Sequence, residues 1–182
     1  MSDINDIIEG CRKKNKRAQQ TLFENYAPVL LGICMRYVKD KSEAEDILQE
    51  GFLKIFLNIN DFAGTGSFEN WMKKIIVNTA ITFYHRNYKH HQNVDIDDVG
   101  EGEIITSDNP EGEYNTNELL NLINSMPQGY KIIFNLYAIE GYKHREIAEM
   151  LKIDENTSKS QYARARKWMQ KKLEQLNIKI EV

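Results

Sequence analysis

The chain has 182 residues, 41% of them hydrophobic, with three prolines and ten glycines, a composition that suits soluble helical protein in one medium domain or two small ones. No apolar run approaches the length needed to cross a bilayer, and the opening MSDINDIIEGCRKKNKR puts acidic residues where a secretion signal has basic ones, so a cytoplasmic protein without membrane insertion is expected. The net charge of −3 argues against a nucleic-acid binder only if it is evenly spread, and it is not: residues 1–92 carry +2 and residues 118–182 carry +3, whereas residues 93–117 carry −8. Cys11 and Cys34 have no metal-like spacing and fall within helical patterns, which points to reduced thiols packed as small apolar groups.

In chain order, Ile4, Ile7, Ile8 and Cys11 recur at helical spacing. A longer helix starts near Lys16 with Ala18, Leu22, Phe23 and Tyr26, and Pro28 predicts either a kink or a new helix there. Leu30, Leu31, Cys34, Met35 and Tyr37 continue the apolar face, and core packing accounts for all of these residues. Ser42 and Glu45 have the spacing of a capping box, which predicts a helix over residues 43–58. On its wheel Ala44, Ile47, Leu48, Gly51, Phe52, Ile55 and Ile59 gather on one broad face and explain a core. The opposite face holds Asp46, Gln49 and Glu50, but also Leu53, Phe56 and Leu57. This apolar strip edged by acid groups needs either a second layer of the same domain or a protein partner.

Residues 61–66 supply a turn, Ser67 a cap, and a helix follows over residues 68–87. Met72, Ile76, Val77, Ala80, Ile81, Phe83 and Tyr84 form its buried arc. Lys74, Asn78, Thr79, Thr82, His85, Arg86 and Lys89 form an outward stripe, with Phe68, Trp71 and Ile75 at its start and Tyr88 near its end. Hydrogen-bonding groups, positive charge and exposed rings together suit single-stranded nucleic acid, whose bases stack on aromatics while the backbone follows the charge. A solvated helix face with a core tryptophan has the same pattern. His85, His90 and His91 lack an acidic or cysteine ligand at helical spacing, so no metal and no cofactor is expected. From residue 93 to residue 115 periodicity disappears and Asp, Glu and Gly accumulate, the composition of a flexible acidic linker. Carboxylate pairs such as Asp97 and Asp98 there lack the fixed geometry that acid-base catalysis needs.

Helix resumes near Thr116 with Leu119, Leu120, Leu122 and Ile123 and breaks at Met126 and Pro127. Pro127 suits the first position of the next helix, in which Ile132, Ile133, Leu136, Tyr137 and Ile139 run to a stop at Gly141. Residues 142–167 then read as a helix-turn-helix. Ile147, Ala148 and Leu151 share one face, the chain turns through Lys152, Ile153 and Asp154, and Asp154 caps a second helix with Ile153 placed for a hydrophobic staple. Its inward side is Ser158, Tyr162, Ala165 and Met169, and its outward side Lys159, Ser160, Ala163, Arg164 and Lys167. In such a motif the second helix enters the DNA major groove, although a plain helical hairpin with a solvated basic face shares the spacing. Trp168, Met169, Leu173 and Leu176 extend the core face, so the C-terminal part is expected to be a four-helix unit.

With both halves in view, the chain resembles the extracytoplasmic-function sigma factors of bacterial RNA polymerase over nearly its full length. AEDILQEGFLKIF resembles the family's polymerase-binding helix, FAGTGSFENWMKKIIVNTA its minus-ten reading segment, and HREIAEMLKIDENTSKSQYARAR its minus-thirty-five reader. The resemblance implies an all-α protein of two small helical domains: a region 2 domain at residues 1–92, the acidic linker at 93–115, and a region 4 domain with the helix-turn-helix at 116–182. It implies core RNA polymerase as partner, through the clamp helices of the largest subunit and the flap, together with promoter DNA and an anti-sigma factor. Asp46, Gln49, Glu50, Leu53, Phe56 and Leu57 match the polymerase contact. Phe62, Ser67, Trp71, Lys74, Asn78, Thr79, Thr82 and Arg86 match the minus-ten contact, where an unstacked base is read by a pocket. Thr157, Lys159, Ser160, Ala163, Arg164, Arg166 and Lys167 match the minus-thirty-five contact. The linker, by the family's arrangement, occupies the polymerase's RNA channel.

Two departures stand out: Ser158 where the family usually has valine, and Gln161 where it often has arginine. An inward serine weakens packing but can bond back to a carbonyl one turn earlier, so local softness and not a lost fold is expected. A missing arginine at Gln161 is expected to cost a phosphate contact at most. The chain as a whole reads as a promoter-specificity subunit and not an enzyme. Its rivals are a conventional helix-turn-helix regulator that binds duplex DNA without polymerase, and a helical metal-dependent hydrolase using the histidines and linker carboxylates.

Overall fold

The computed structural model of the chain describes residues 3–87 and 116–175. The acidic segment 93–115, and with it Asp97 and Asp98, lies outside the described residues, as do Tyr88, Lys89, His90, His91 and Leu176. The described residues form helices joined by turns, and the chain divides into two compact units, Met1–Arg86 and Asn87–Val182.

In the first unit, α1 (Ile4–Arg12) starts where Asp3 accepts a hydrogen bond from the Asn5 amide at 3.3 Å, and it buries Ile7, Ile8 and Cys11. Asn15 then caps α2 (Lys16–Cys34), its Oδ1 accepting from the Arg17 and Ala18 amides at 2.9 and 3.3 Å. Helix α2 runs through Pro28 without a second helix starting there. Pro28 and Glu24, the residue whose carbonyl is left without its donor, both lie on the exposed side. Gly10 is required by the close approach of α1 and α2, since a Cβ there would lie 2.5 Å from that of Ala18.

Helix α3 (Lys41–Asn58) begins earlier than the Ser42 and Glu45 box predicts. Asp40, in extended conformation, is the cap, and its Oδ1 accepts from the Glu43 amide at 3.1 Å. A carboxylate at the helix start serves the free amides directly, and Glu45 pairs instead with Lys41 at 3.7 Å. After a 3-10 turn (Ile59–Asp61), α4 (Phe68–Asn87) starts with Ser67 Oγ accepting from the Asn70 amide at 3.3 Å, as expected. Side chains such as Leu22, Leu30, Ile47, Ile55, Met72 and Ile76 are fully buried between these helices, each stabilising the unit by about 1.5–3 kcal/mol. Gly51 is part of that packing, because a Cβ there would run into Ile76. Phe83, placed in the buried arc by its spacing, is only half buried. Cys11 and Cys34 are free and buried, and burial pushes the Cys34 thiol up to about 12, consistent with inert apolar packing.

The second unit holds α5 (Thr116–Ser125), α6 (Gln128–Phe134), a π turn (Asn135–Ile139), α7 (His144–Leu151) and α8 (Glu155–Gln175). Leu122, Ile123, Met126, Ala165 and Met169 form its core, with Trp168 and Leu173 packed at the edge. Pro127 is the cap residue of α6 and not its first helical residue. The π turn was not legible in the sequence. Its wider winding rotates later residues about the axis, which is why Tyr137 and Ile139, assigned to the core face by simple periodicity, come out exposed. Lys131 is the other surprise: its side chain is almost wholly covered, with Nζ 3.4 Å from Asn124 Oδ1.

Candidate nucleic-acid interface

Helices α7 and α8 meet through a turn that the backbone specifies closely. Lys152 takes a left-handed conformation (φ 56°), and the Ile153 amide donates back to the Ala148 carbonyl at 3.0 Å, closing the end of α7. Asp154 Oδ1 accepts from the Asn156 amide at 2.8 Å, which starts α8 as the sequence predicts. At the other end of α7, the Glu146 carboxylate accepts from the Lys143 amide at 2.7 Å. Ser158, Ala165 and Met169 are buried and Tyr162 is half buried. Thr157, Lys159, Ser160, Ala163, Arg164, Arg166 and Lys167 are all exposed. Lys159 pairs with Glu155 at 2.7 Å, and this pairing holds the Glu155 carboxyl below its ordinary value. The two departures from the family pattern, Ser158 and Gln161, both lie at least partly inside the unit. The Ser158 partner is on another helix: its Oγ is hydrogen-bonded to His144 Nδ1 of α7 at 3.0 Å. Gln161 is half buried, with Oε1 enclosed and without a protein partner.

In the first unit the α3 strip is uncovered. Leu53 and Leu57, one turn apart, are 64% and 79% exposed, and Asp46 and Gln49 are exposed beside them. Phe56 is half buried, its ring 5.9 Å from Phe52. Within this unit, then, no second layer covers Leu53 or Leu57. Glu50 is committed to neighbours: Lys54 Nζ approaches it at 2.8 Å, and Arg86 from α4 reaches it with two nitrogens at 3.0 and 3.2 Å. The Lys54 hydrogen bond, then that of Arg86, holds the Glu50 carboxyl below its ordinary value.

On the outward stripe of α4 two placements change and a third, Arg86, is outward as expected but paired. Thr79 is fully buried, because Lys54 from α3 donates to its Oγ1 at 3.2 Å while its hydroxyl donates to the Ile75 carbonyl at 2.8 Å. Arg86 is exposed but tied to Glu50. The aromatic surface at the start of α4 is largely internal: Phe62 and Phe68 are buried, and only Trp71 remains half exposed. The three rings pack together, Phe62 at 5.0 and 5.7 Å from Phe68 and Trp71, and Phe68 stacked on Trp71 at 5.4 Å. Arg12 of α1, which no pattern singled out, donates to the Phe62 carbonyl at 2.6 Å and pins the loop from across the unit. Between Phe62 and Ser67, Gly64 and Gly66 adopt φ of +75° and +83°, conformations that L side chains rarely accept. Lys74 and Asn78 are exposed as expected, and Thr82 is half buried with its hydroxyl donating to the Asn78 carbonyl. Among the described residues no group of three or more His, Cys, Asp or Glu is placed to hold a metal ion, and no helix is long and apolar enough to cross a membrane.

Comparison with known proteins accounts for both units. The family described as Sigma-70 region 2 matches residues 22–90, and Sigma-70, region 4 matches residues 116–169. The ECF RNA polymerase sigma-E factor of Haemophilus influenzae is 28% identical over 180 residues, covering 93% of this chain and 95% of that protein. The RNA polymerase sigma-H factor of Pseudomonas aeruginosa is 27% identical over 180 residues, covering 93% of each. Among solved structures, the sigma factor RpoE from Bartonella quintana, in complex with the anti-sigma factor NepR, shares the fold at a TM-score of 0.53 and 20% identity, over 85% of this chain and 96% of that one.

Proposed function

Because the chain belongs to the extracytoplasmic-function sigma factors, we propose that it works as a two-point promoter grip on core RNA polymerase. Residues 1–92 form the region 2 domain that docks on polymerase and engages the melted minus-ten element. Residues 93–115 are the linker, and residues 116–182 the region 4 domain that reads the minus-thirty-five element. On α3, Leu53 and Leu57 with Asp46 and Gln49 contact the clamp helices of the largest subunit, with Phe56 supporting them and Glu50 at their edge. On α8, Thr157, Lys159, Ser160, Ala163, Arg164, Arg166 and Lys167 face the upstream element in the major groove. On α4, Trp71, Lys74 and Asn78 are the directly accessible minus-ten contacts, with Ser67 and Thr82 beside them. Phe62 and Thr79 contribute by shaping the surface, and Arg86 after it leaves Glu50. The protein carries no catalytic residue, bond formation belongs to the polymerase, and the site of action is the cytoplasm. An anti-sigma factor is the expected regulator.

The observation that carries this reading is the uncovered Leu53 and Leu57 pair. Large apolar side chains in register on an otherwise well-packed helix suit a protein partner, and a self-contained duplex-DNA regulator has no use for them. Mixing the chain with core polymerase and running off transcripts from genomic fragments tests it. Co-purification with polymerase and discrete promoter-dependent transcripts are expected. Duplex binding without polymerase association would leave the conventional regulator as the better account.

A further inference from the structure

His144 opens α7, and the promoter grip described above gives it no role. Its imidazole lies flat on Tyr137 of the π turn, with centroids 4.2 Å apart and planes at 13°. Tyr162 of α8 closes against both rings at 4.4 and 5.8 Å. From that stack, Nδ1 is hydrogen-bonded to Ser158 Oγ at 3.0 Å, and Ser158 is 0% exposed. Three segments of the unit therefore converge on one ring.

The geometry points to His144 as a positioning residue for promoter discrimination: held by Tyr137 and bonded to Ser158, it sets the rotation of the first turns of α8 and so the angle at which Thr157, Lys159 and Ser160 meet DNA. The inference rests on the sigma-factor reading. Its physical basis is the smallness of the inner face of α8. Ser158 and Ala165, the buried residues along the first three turns, offer little side chain for packing, and Tyr162 between them is half buried and rests on the same Tyr137 ring that holds His144. A valine, which the family usually carries here, could offer only an apolar contact; in this chain a hydrogen bond to a clamped ring is available at that position. Rotation matters because about 10° moves a side-chain tip by about 1 Å at the 5–6 Å radius of a helix. That displacement separates a good hydrogen bond from a poor one.

The test uses holoenzyme assembled from core polymerase and the full chain, transcribing one of its own promoters with the upstream element either intact or scrambled. The ratio of the two activities measures discrimination. His144→Phe keeps the stack and removes the hydrogen bond, and is expected to lower the ratio roughly three- to tenfold while leaving activity on the scrambled template within about twofold. Ser158→Ala should give a similar loss. The double variant should be no worse than the larger single loss, because both changes delete one bond. His144→Asn places an amide near the Nδ1 position and should recover a large part of the ratio relative to His144→Phe. Unchanged ratios in both single variants, losses that multiply in the double, or an equal fall on the scrambled template would overturn the assignment. A wild-type chain that assembles no active holoenzyme, or ignores the upstream element, would remove the sigma-factor reading itself and this proposal with it.

Discussion

The two helices proposed to face DNA are built differently. On α8 the basic and polar groups stand clear of the unit, Lys159 paired with Glu155 and the Ser160 hydroxyl donating to the Thr157 carbonyl within the helix itself. On α4 the corresponding groups are drawn into the protein: Thr79 is buried under Lys54, Arg86 is clasped by Glu50, and Phe62 and Phe68 wall in Trp71. Reading an intact duplex requires side chains that project from a rigid helix into the groove. Holding an unstacked base requires a shaped, supported surface, because a base outside the helix is recognised by pocket walls and stacking. The internal bonds of α4 are the support such a surface needs. They also join the face assigned to polymerase with the face assigned to DNA through one chain of contacts, Thr79 to Lys54 to Glu50 to Arg86.

Substitutions in the two regions should therefore fail in different currencies, stability in one and affinity in the other. The largest effect expected is that of Phe62→Ala. Removing a buried ring that braces Phe68 and Trp71 should destabilise the first unit by about 3 kcal/mol or more, read by urea unfolding. Little change in stability alongside lost promoter opening would instead make Phe62 a direct base contact. Next comes Arg164→Ala, which should weaken binding to an intact upstream element by about 1–3 kcal/mol if the arginine bonds a base edge. Its melting temperature should not move, and unchanged promoter affinity would remove it from the recognition set. Thr79→Val keeps the shape and deletes two hydrogen bonds, so a loss of about 1–2 kcal/mol in stability is expected, and a pure affinity defect would restore Thr79 to the DNA face.

The smallest effects are in pH dependence, and they separate the units. His144 has its pKa lowered by burial and then by Lys159, with Glu155 opposing. Tyr137 and Tyr162 are the other titratable groups against it. A histidine depressed below its ordinary 6.5 contributes stability that is full above that value and lost as pH falls through the folded value. Glu50 is depressed below its ordinary 4.5, so its contribution persists to lower pH, being lost only as pH falls below that value through the folded one. Because Glu50 is about a third exposed, its share is under about 1 kcal/mol. Thermal melts of wild type, His144→Phe and Glu50→Gln across pH 7 to 3.5 check this: His144→Phe should flatten the upper part of the profile and Glu50→Gln the lower part. A profile that neither variant alters would show that these groups do not set the difference.

The sequence by itself determined which segments are helical, where most of them start, and which stripe of each points outward relative to its own axis. Helical periodicity carries that information locally, so Asp154 as a cap, the exposed Thr157 to Lys167 stripe and the buried Ser158 were legible, and Leu53 was legible as lying opposite the core face of its helix but not as uncovered. Only the tertiary structure decided which outward stripe remains outward once neighbours arrive. Thr79 is covered by a lysine 25 positions away, Arg86 is held by a carboxylate 36 away, and the Phe62 carbonyl is held by an arginine 50 away. Ser158 finds its partner 14 residues back, on another helix. A hydrophobic pattern reports the angle of a side chain about one helix axis, whereas a hydrogen bond or an ion pair depends on the separation between two helices. That separation is set by close packing at positions such as Gly10 against Ala18 and Gly51 against Ile76.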